Sequence, residues 1–176
     1  MARIKAQSSE VKRLLLAFCL AASMLYAEPI DDATFFASLA ISRSIGVPSS
    51  VAARQLFRES GDKKTGSRGD FSVDSKQPED AEGYRSSGGY QFYMNPKKNL
   101  NWLLDMFWYG AGETEPFDVY NYVHNTKMYA RYMVWLHDRF GTWYLAAARY
   151  NCGPNRPTIP PSSLEYAMDI ISARSP

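Results

Sequence analysis

Apolar residues recur along most of the chain at the three-to-four-residue spacing of helices, and hardly anywhere at the two-residue spacing of strands. Phe35, Phe36 and Leu39 lie on a segment that Asp31-Asp32 can cap and Gly46 can end. After Pro48, Ser49 or Ser50 can cap a second helix. In it Ala52, Gln55, Leu56 and Glu59 fall at i, i+3, i+4 and i+7, on one face. Leu100, Leu103, Leu104 and Phe107 predict a third. A longer helix is expected over 119–140, with Val119, Val123, Met133 and Leu136 among its apolar positions. Thr142 can cap a short helix ending near Ala148, and Ser162-Ser163-Leu164-Glu165 reads as a capping box opening the last one. The fold class expected is all-α.

Between Gly61 and Gly89 the pattern fails. Gly, Ser, Asp and Lys dominate, large apolar residues are few, and the stretch reads as a long loop at the rim of the molecule. Its acidic residues Asp70, Asp74, Glu79, Asp80 and Glu82 are expected to be solvated. No repeat or coiled coil interrupts the rest, so residues 28–176 are expected to form one domain.

The N-terminus changes the charge picture. Arg3, Lys5, Lys12 and Arg13 precede an apolar stretch from Leu14 to Ala22 that is too short to span a bilayer comfortably, and small residues follow. Residues 1–27 therefore read as an export leader, with cleavage after Ala27 and Ser23 as a competing site; an uncleaved anchor is the alternative. Bulky Phe18 before Cys19 argues against lipid attachment there. The leader holds four of the 20 Lys+Arg and one of the 18 Asp+Glu, so the remainder carries 16 against 17, a net charge of about −1. That leaves no basic surface for nucleic acid. Only Cys152 remains, which excludes an internal disulfide and suits a small buried hydrophobe. Two His, expected at the surface of the long helix, and one Cys support neither a zinc site nor a Ser-His-Asp triad. Aromatic residues make up 14% of the chain, enough both for a core and for a groove in which sugar rings stack.

An inward-facing carboxylate at a helix end needs a reason, and an ordered set of four segments, beginning with its own, supplies one. In order they are Glu59-Ser60; Gly88-Gly89-Tyr90-Gln91-Phe92 with Pro96 following; Ala148-Arg149-Tyr150-Asn151-Cys152-Gly153-Pro154; and Pro161-Ser162-Ser163-Leu164-Glu165-Tyr166. Each alone is common. The ordered set resembles the catalytic-domain motifs of the soluble lytic transglycosylase family, which shares the goose-type lysozyme fold. It departs from the family in a longer gap after Glu59 and in Gly89-Tyr90, where Leu-Met is usual.

The resemblance implies a lysozyme-like fold and cleavage of the MurNAc–GlcNAc β-1,4 bond of peptidoglycan, with Glu59 as general acid and then base. The muramic acid's own 6-hydroxyl would attack, leaving a 1,6-anhydro end, so no second carboxylate, metal or cofactor is called for. Glu59 would need a raised pKa, which burial among apolar neighbours can supply. Ser60, Gly88 and Gly89 would orient the acid and let a sugar approach the backbone. Tyr90 belongs to the same substrate-binding segment. Gln91, Tyr150 and Asn151 would hydrogen-bond the substrate, and Tyr166 would lean its hydroxyl toward Glu59. The partners implied are glycan strands and, as for other small exported relatives, an envelope-spanning secretion or conjugation assembly; the place is the periplasm or cell envelope, and a monomer is expected. A hydrolysing muramidase on the same fold, using a loop carboxylate to position water, is the rival enzyme. A wall-binding assembly factor with weak catalysis is the rival from another class. The plainer readings of the residues stay open at this stage. Glu59 can be a solvated helix end, Tyr150 and Tyr166 core residues, and Asn151 a turn cap.

Overall fold

A computed structural model describes residues 30–62, 64, 67–75 and 77–172. The leader expected over residues 1–27, with Cys19, lies outside the described residues. Among these, no helix is long and apolar enough to cross a membrane.

The fold is mainly helical. Helix α1 (Asp32–Ile45) starts as its sequence predicts, with the Asp31 carboxylate accepting from the Thr34 N–H at 2.6 Å. Gly46, at a φ of 121°, ends it. Helix α2 (Ser49–Ser60) follows at once, but neither serine caps it. Pro48 takes the cap position. Its ring presets the entry angle, and its carbonyl accepts from the Val51 and Ala52 N–H groups. After the long loop come a two-residue antiparallel ribbon, β1 (Ser86–Ser87) against β2 (Phe92–Tyr93), and a wide turn over Pro96–Leu100. Helices α3 (Asn101–Phe107), α4 (Tyr122–Phe140), α5 (Trp143–Cys152) and α6 (Pro161–Ile171) complete the order.

Three boundaries differ from expectation. Helix α4 starts at Tyr122, not Val119, because Asn121 accepts from the N–H groups of Val123 and His124. Val119 is buried just ahead of it. Helix α5 is capped by Thr142 as predicted but runs four residues past Ala148, which puts Tyr150 and Asn151 on its last turn. Helix α6 has no capping box: Pro160 and Pro161 fix its start, and no side chain caps it.

One core gathers apolar groups from every helix, with Leu56, Met128, Met133, Leu136, Ala147 and Ile170 fully buried. Ala146, Ala147 and Ala148 keep α5 thin where it packs on α4 and α6. Arg54 of α2 donates to the carbonyls of Ile170, Ile171 and Ser172 at the end of α6, where the helix leaves carbonyls unpaired. That clamp ties α6 to α2.

The segment 61–87 is not a rim insertion. Phe71 is buried in the core, edge-on to Tyr90 and tilted against Tyr122. Ser67, Gly69, Asp70 and Ser87 are buried with it. Its acids are not simply solvated either. Asp70 Oδ1 accepts from the N–H and hydroxyl of Ser72, and Asp74 from the Ser87 and Tyr120 hydroxyls. Asp80 accepts from Tyr93, Asn95, Lys98 and two backbone N–H groups, which hold its carboxyl far below the usual range. Glu79 pairs with Arg85, and Glu82 with Asn95 and Lys97. Side-chain hydrogen bonds thus order a stretch whose composition promised little burial.

His124 is likewise not at the surface. It is buried beside Trp108 at 4.6 Å between ring centres, accepts from the Asp118 N–H on Nδ1, and has Nε2 3.2 Å from Glu115. Cys152 is partly buried, with its thiol toward the Gly153 carbonyl.

Candidate active site

Glu59 sits one residue from the end of α2, on the face that carries Ala52, Gln55 and Leu56 into the core. Its backbone is fixed by those contacts, and its carboxyl group is fixed by α6: the Tyr166 hydroxyl donates to Glu59 Oε1. Burial pushes the carboxyl up to about 7, while the Tyr166 hydrogen bond and the nearby Arg58 charge oppose the rise. Desolvation wins because a hydrogen bond to a half-enclosed carboxylate replaces only part of its lost hydration. At neutral pH the group is thus close to half protonated. No protein donor reaches Oε2 among the described residues.

A cluster of tyrosines packs around this carboxyl. Tyr166, Tyr150 and Tyr129 all have hydroxyls held neutral well above their ordinary range, by burial first and by the Glu59 charge next for Tyr150 and Tyr166. Tyr129 stacks flat on Tyr90 at 3.7 Å and donates to Gln55 Oε1 at 3.2 Å. Gln55 was placed on the inward stripe by its spacing but given no role, and Tyr129 was not singled out in the sequence. The only signal was a polar residue on the inward stripe of α2, one helical turn before Glu59.

Each expected site residue has a definite place. Ser60 does not contact Glu59; its hydroxyl donates to the Leu56 carbonyl and accepts from the Asp70 N–H at 2.9 Å, pinning the loop to the helix end. Gly88 and Gly89 are buried, and the space beside them is filled by protein, not left for a sugar. At Gly88, φ 76°, a Cβ would lie 2.4 Å from the Asn125 amide and the Val119 carbonyl; at Gly89 it would meet the Phe71 ring at 2.5 Å. Tyr90 is a correction of the same kind. It is fully buried and has no surface for substrate; its backbone carbonyl accepts from the Tyr150 hydroxyl at 2.6 Å. That bond commits the one hydroxyl proton of Tyr150. Gln91 adopts a φ of 53°, unusual outside glycine, and its amide N–H bonds the carbonyls of Gly88 and Val73. Asn151 is exposed, on the last turn of α5, and its Oδ1 accepts from buried Ser163 Oγ at 2.8 Å. The structure therefore brings Glu59 and Tyr166 together, ties Tyr150 to the 88–91 turn, and fixes Asn151 against α6.

Chemically, a carboxyl that holds its proton near pH 7 beside neutral hydroxyls can donate to a leaving oxygen and later take the proton back. Among the described residues no group of three or more His, Cys, Asp or Glu is placed to hold a metal ion. Neither family models, nor curated proteins, nor solved structures give a match to this chain.

Proposed function

We propose that the chain is a peptidoglycan lytic transglycosylase, exported to the cell envelope, in which Glu59 protonates the glycosidic oxygen between MurNAc and GlcNAc. The observation that carries this reading is the Glu59 carboxyl: partly buried at a helix end, raised to about 7, and oriented by Tyr166. In this reading the protonated carboxyl gives its proton to the departing GlcNAc O4, and the carboxylate then removes the proton of the muramic 6-hydroxyl as that oxygen attacks the anomeric carbon. Atoms balance without water, and the product carries a 1,6-anhydro ring. Exposed Asn151 and half-buried Gln91, the amide side chains of the motif set, would contact the sugar's acetamido and lactyl groups.

Two observations favour internal attack over hydrolysis. Asp74, Glu79, Asp80 and Glu82 all have structural partners within their own loop or its neighbours. Asp70 lines a separate cavity that Glu59 does not reach. A hydrolase needs a second group to activate water across the ring, whereas a tethered hydroxyl is already at high effective concentration. Digestion of purified peptidoglycan, with mass analysis of the fragments, tests the reading. Fragments lighter by one water than lysozyme products are expected. Only hydrated, reducible muramic ends would make the protein a muramidase, and no fragments at all would favour an assembly role without catalysis.

A further inference from the structure

Beyond the end of α2 lies a concave site apart from Glu59. A cavity of about 410 Å³ opens between the loop turn Asp70-Phe71-Ser72 and the entry to α4 at Tyr120-Asn121-Tyr122. Neither Glu59 nor any residue proposed to contact the sugar lines it. We propose that this cavity binds an ammonium group carried on a short peptide, namely the stem peptide of the glycan whose sugar Glu59 acts on. The inference rests on the peptidoglycan reading for the identity of the peptide and on the following observations for the chemistry.

Asp70 is buried, yet only one of its carboxylate oxygens is used: Oδ1 accepts from the Ser72 N–H at 2.8 Å and the Ser72 hydroxyl at 2.6 Å. Oδ2 has no protein donor among the described residues. Among the described residues no Lys or Arg lines the cavity. The nearest groups reinforce the negative potential: Asp74 accepts from the Tyr120 hydroxyl, Asp118 accepts from the Tyr120 N–H, and Asp31 caps Thr34, itself a lining residue. The cations near it are already paired, Arg68 with Asp32 at 2.8 Å and Arg85, which acts on Asp74 and Tyr120, with Glu79. The rings of Phe71, Tyr120 and Tyr122 supply walls that suit both a methylene chain and a cation. A fixed carboxylate with one open oxygen among aromatic walls selects a primary ammonium over a neutral or anionic group.

The position fits the same substrate. The Asp70 N–H is bonded to Ser60, the residue after Glu59. A peptide hanging from a muramic lactyl group spans about 10 Å over three extended residues, so the proposal places its third residue in the cavity.

The test measures binding of a disaccharide–tetrapeptide with a free side-chain amine to the full chain, against the same compound N-acetylated on that amine. The free-amine form should bind about tenfold more tightly or better, as expected for one charge-assisted hydrogen-bonded pair. Asp70→Asn keeps an oxygen for Ser72 and should erase the difference while leaving the acetylated form's affinity unchanged. Should that variant not fold, backbone amide shifts of the wild-type protein decide instead: the free-amine form should perturb 70–72 and 120–123. Equal affinities for the two compounds, no binding of either, a preference that survives Asp70→Asn, or shift changes confined elsewhere would each overturn the proposal. Wall cleavage is read separately. Cleavage without amine preference sinks only this site, and amine preference without cleavage sinks only the transglycosylase reading.

Discussion

At the scale of the residue, two opposed influences set the Glu59 proton, and they can be pulled apart. The raised pKa of about 7 is a burial effect that the Tyr166 hydroxyl restrains. The acid form must be present for the first step, so kcat/KM on wall fragments should fall as pH rises through about 7. Tyr166→Phe removes the restraint, and the descending limb should move to higher pH; a limb that stays in place would mean that Tyr166 does not set the proton. The same burial costs stability. Glu59 has a folded value above its unfolded one, so the native state is favoured while the group is protonated and loses stability as pH climbs from about 4.5 to 7. Glu59→Gln should therefore be nearly neutral at pH 4.5 and stabilising above pH 7, by up to about 3 kcal/mol. Urea unfolding of both proteins across that range checks the sign. A destabilised Gln variant at pH 8 would show that the carboxyl is well solvated.

Between residue and molecule, the elements show what sequence periodicity can and cannot carry. The stripe of α2, the Asp31 and Thr142 caps and the Gly46 stop are local features, and the chain forms them where the pattern puts them. The loop is different. Phe71 is the one phenylalanine in a polar run, and nothing local says that it enters the core. What orders it is a set of hydrogen bonds, from the Asp70 N–H to Ser60 Oγ and to the Asp74 and Asp80 carboxylates from Ser87 and Asn95, invisible to periodicity. Ser163 misleads for a similar reason: it looks like part of a cap and instead bonds Asn151 across helices. Phe71→Ala should cost about 3–5 kcal/mol, the range for a buried aromatic truncated in a packed core. A loss below about 1 kcal/mol in thermal unfolding would return the loop to the rim.

For the whole molecule, the helical class was legible, and so was the inward placement of Glu59, because its spacing puts it on the apolar stripe of α2. The pairing of Glu59 with Tyr166 depends on α2 and α6 meeting, which Arg54 secures across 116 to 118 positions of sequence. Motif resemblance anticipated that pairing; spacing alone could not. The roles of Gly88, Gly89 and Tyr90 were misjudged because a motif names residue types without saying whether ligand or protein fills the space beside them. The central claim is that one carboxyl, held by this packing, supplies the proton that breaks the wall. The most direct measurement is the rate of peptidoglycan digestion by purified Glu59→Gln, with circular dichroism to show an unchanged fold. The loss expected is at least ~10²-fold. A folded variant that keeps more than about a tenth of the wild-type rate would contradict the account, because a side chain without an acidic proton cannot do what is assigned to Glu59.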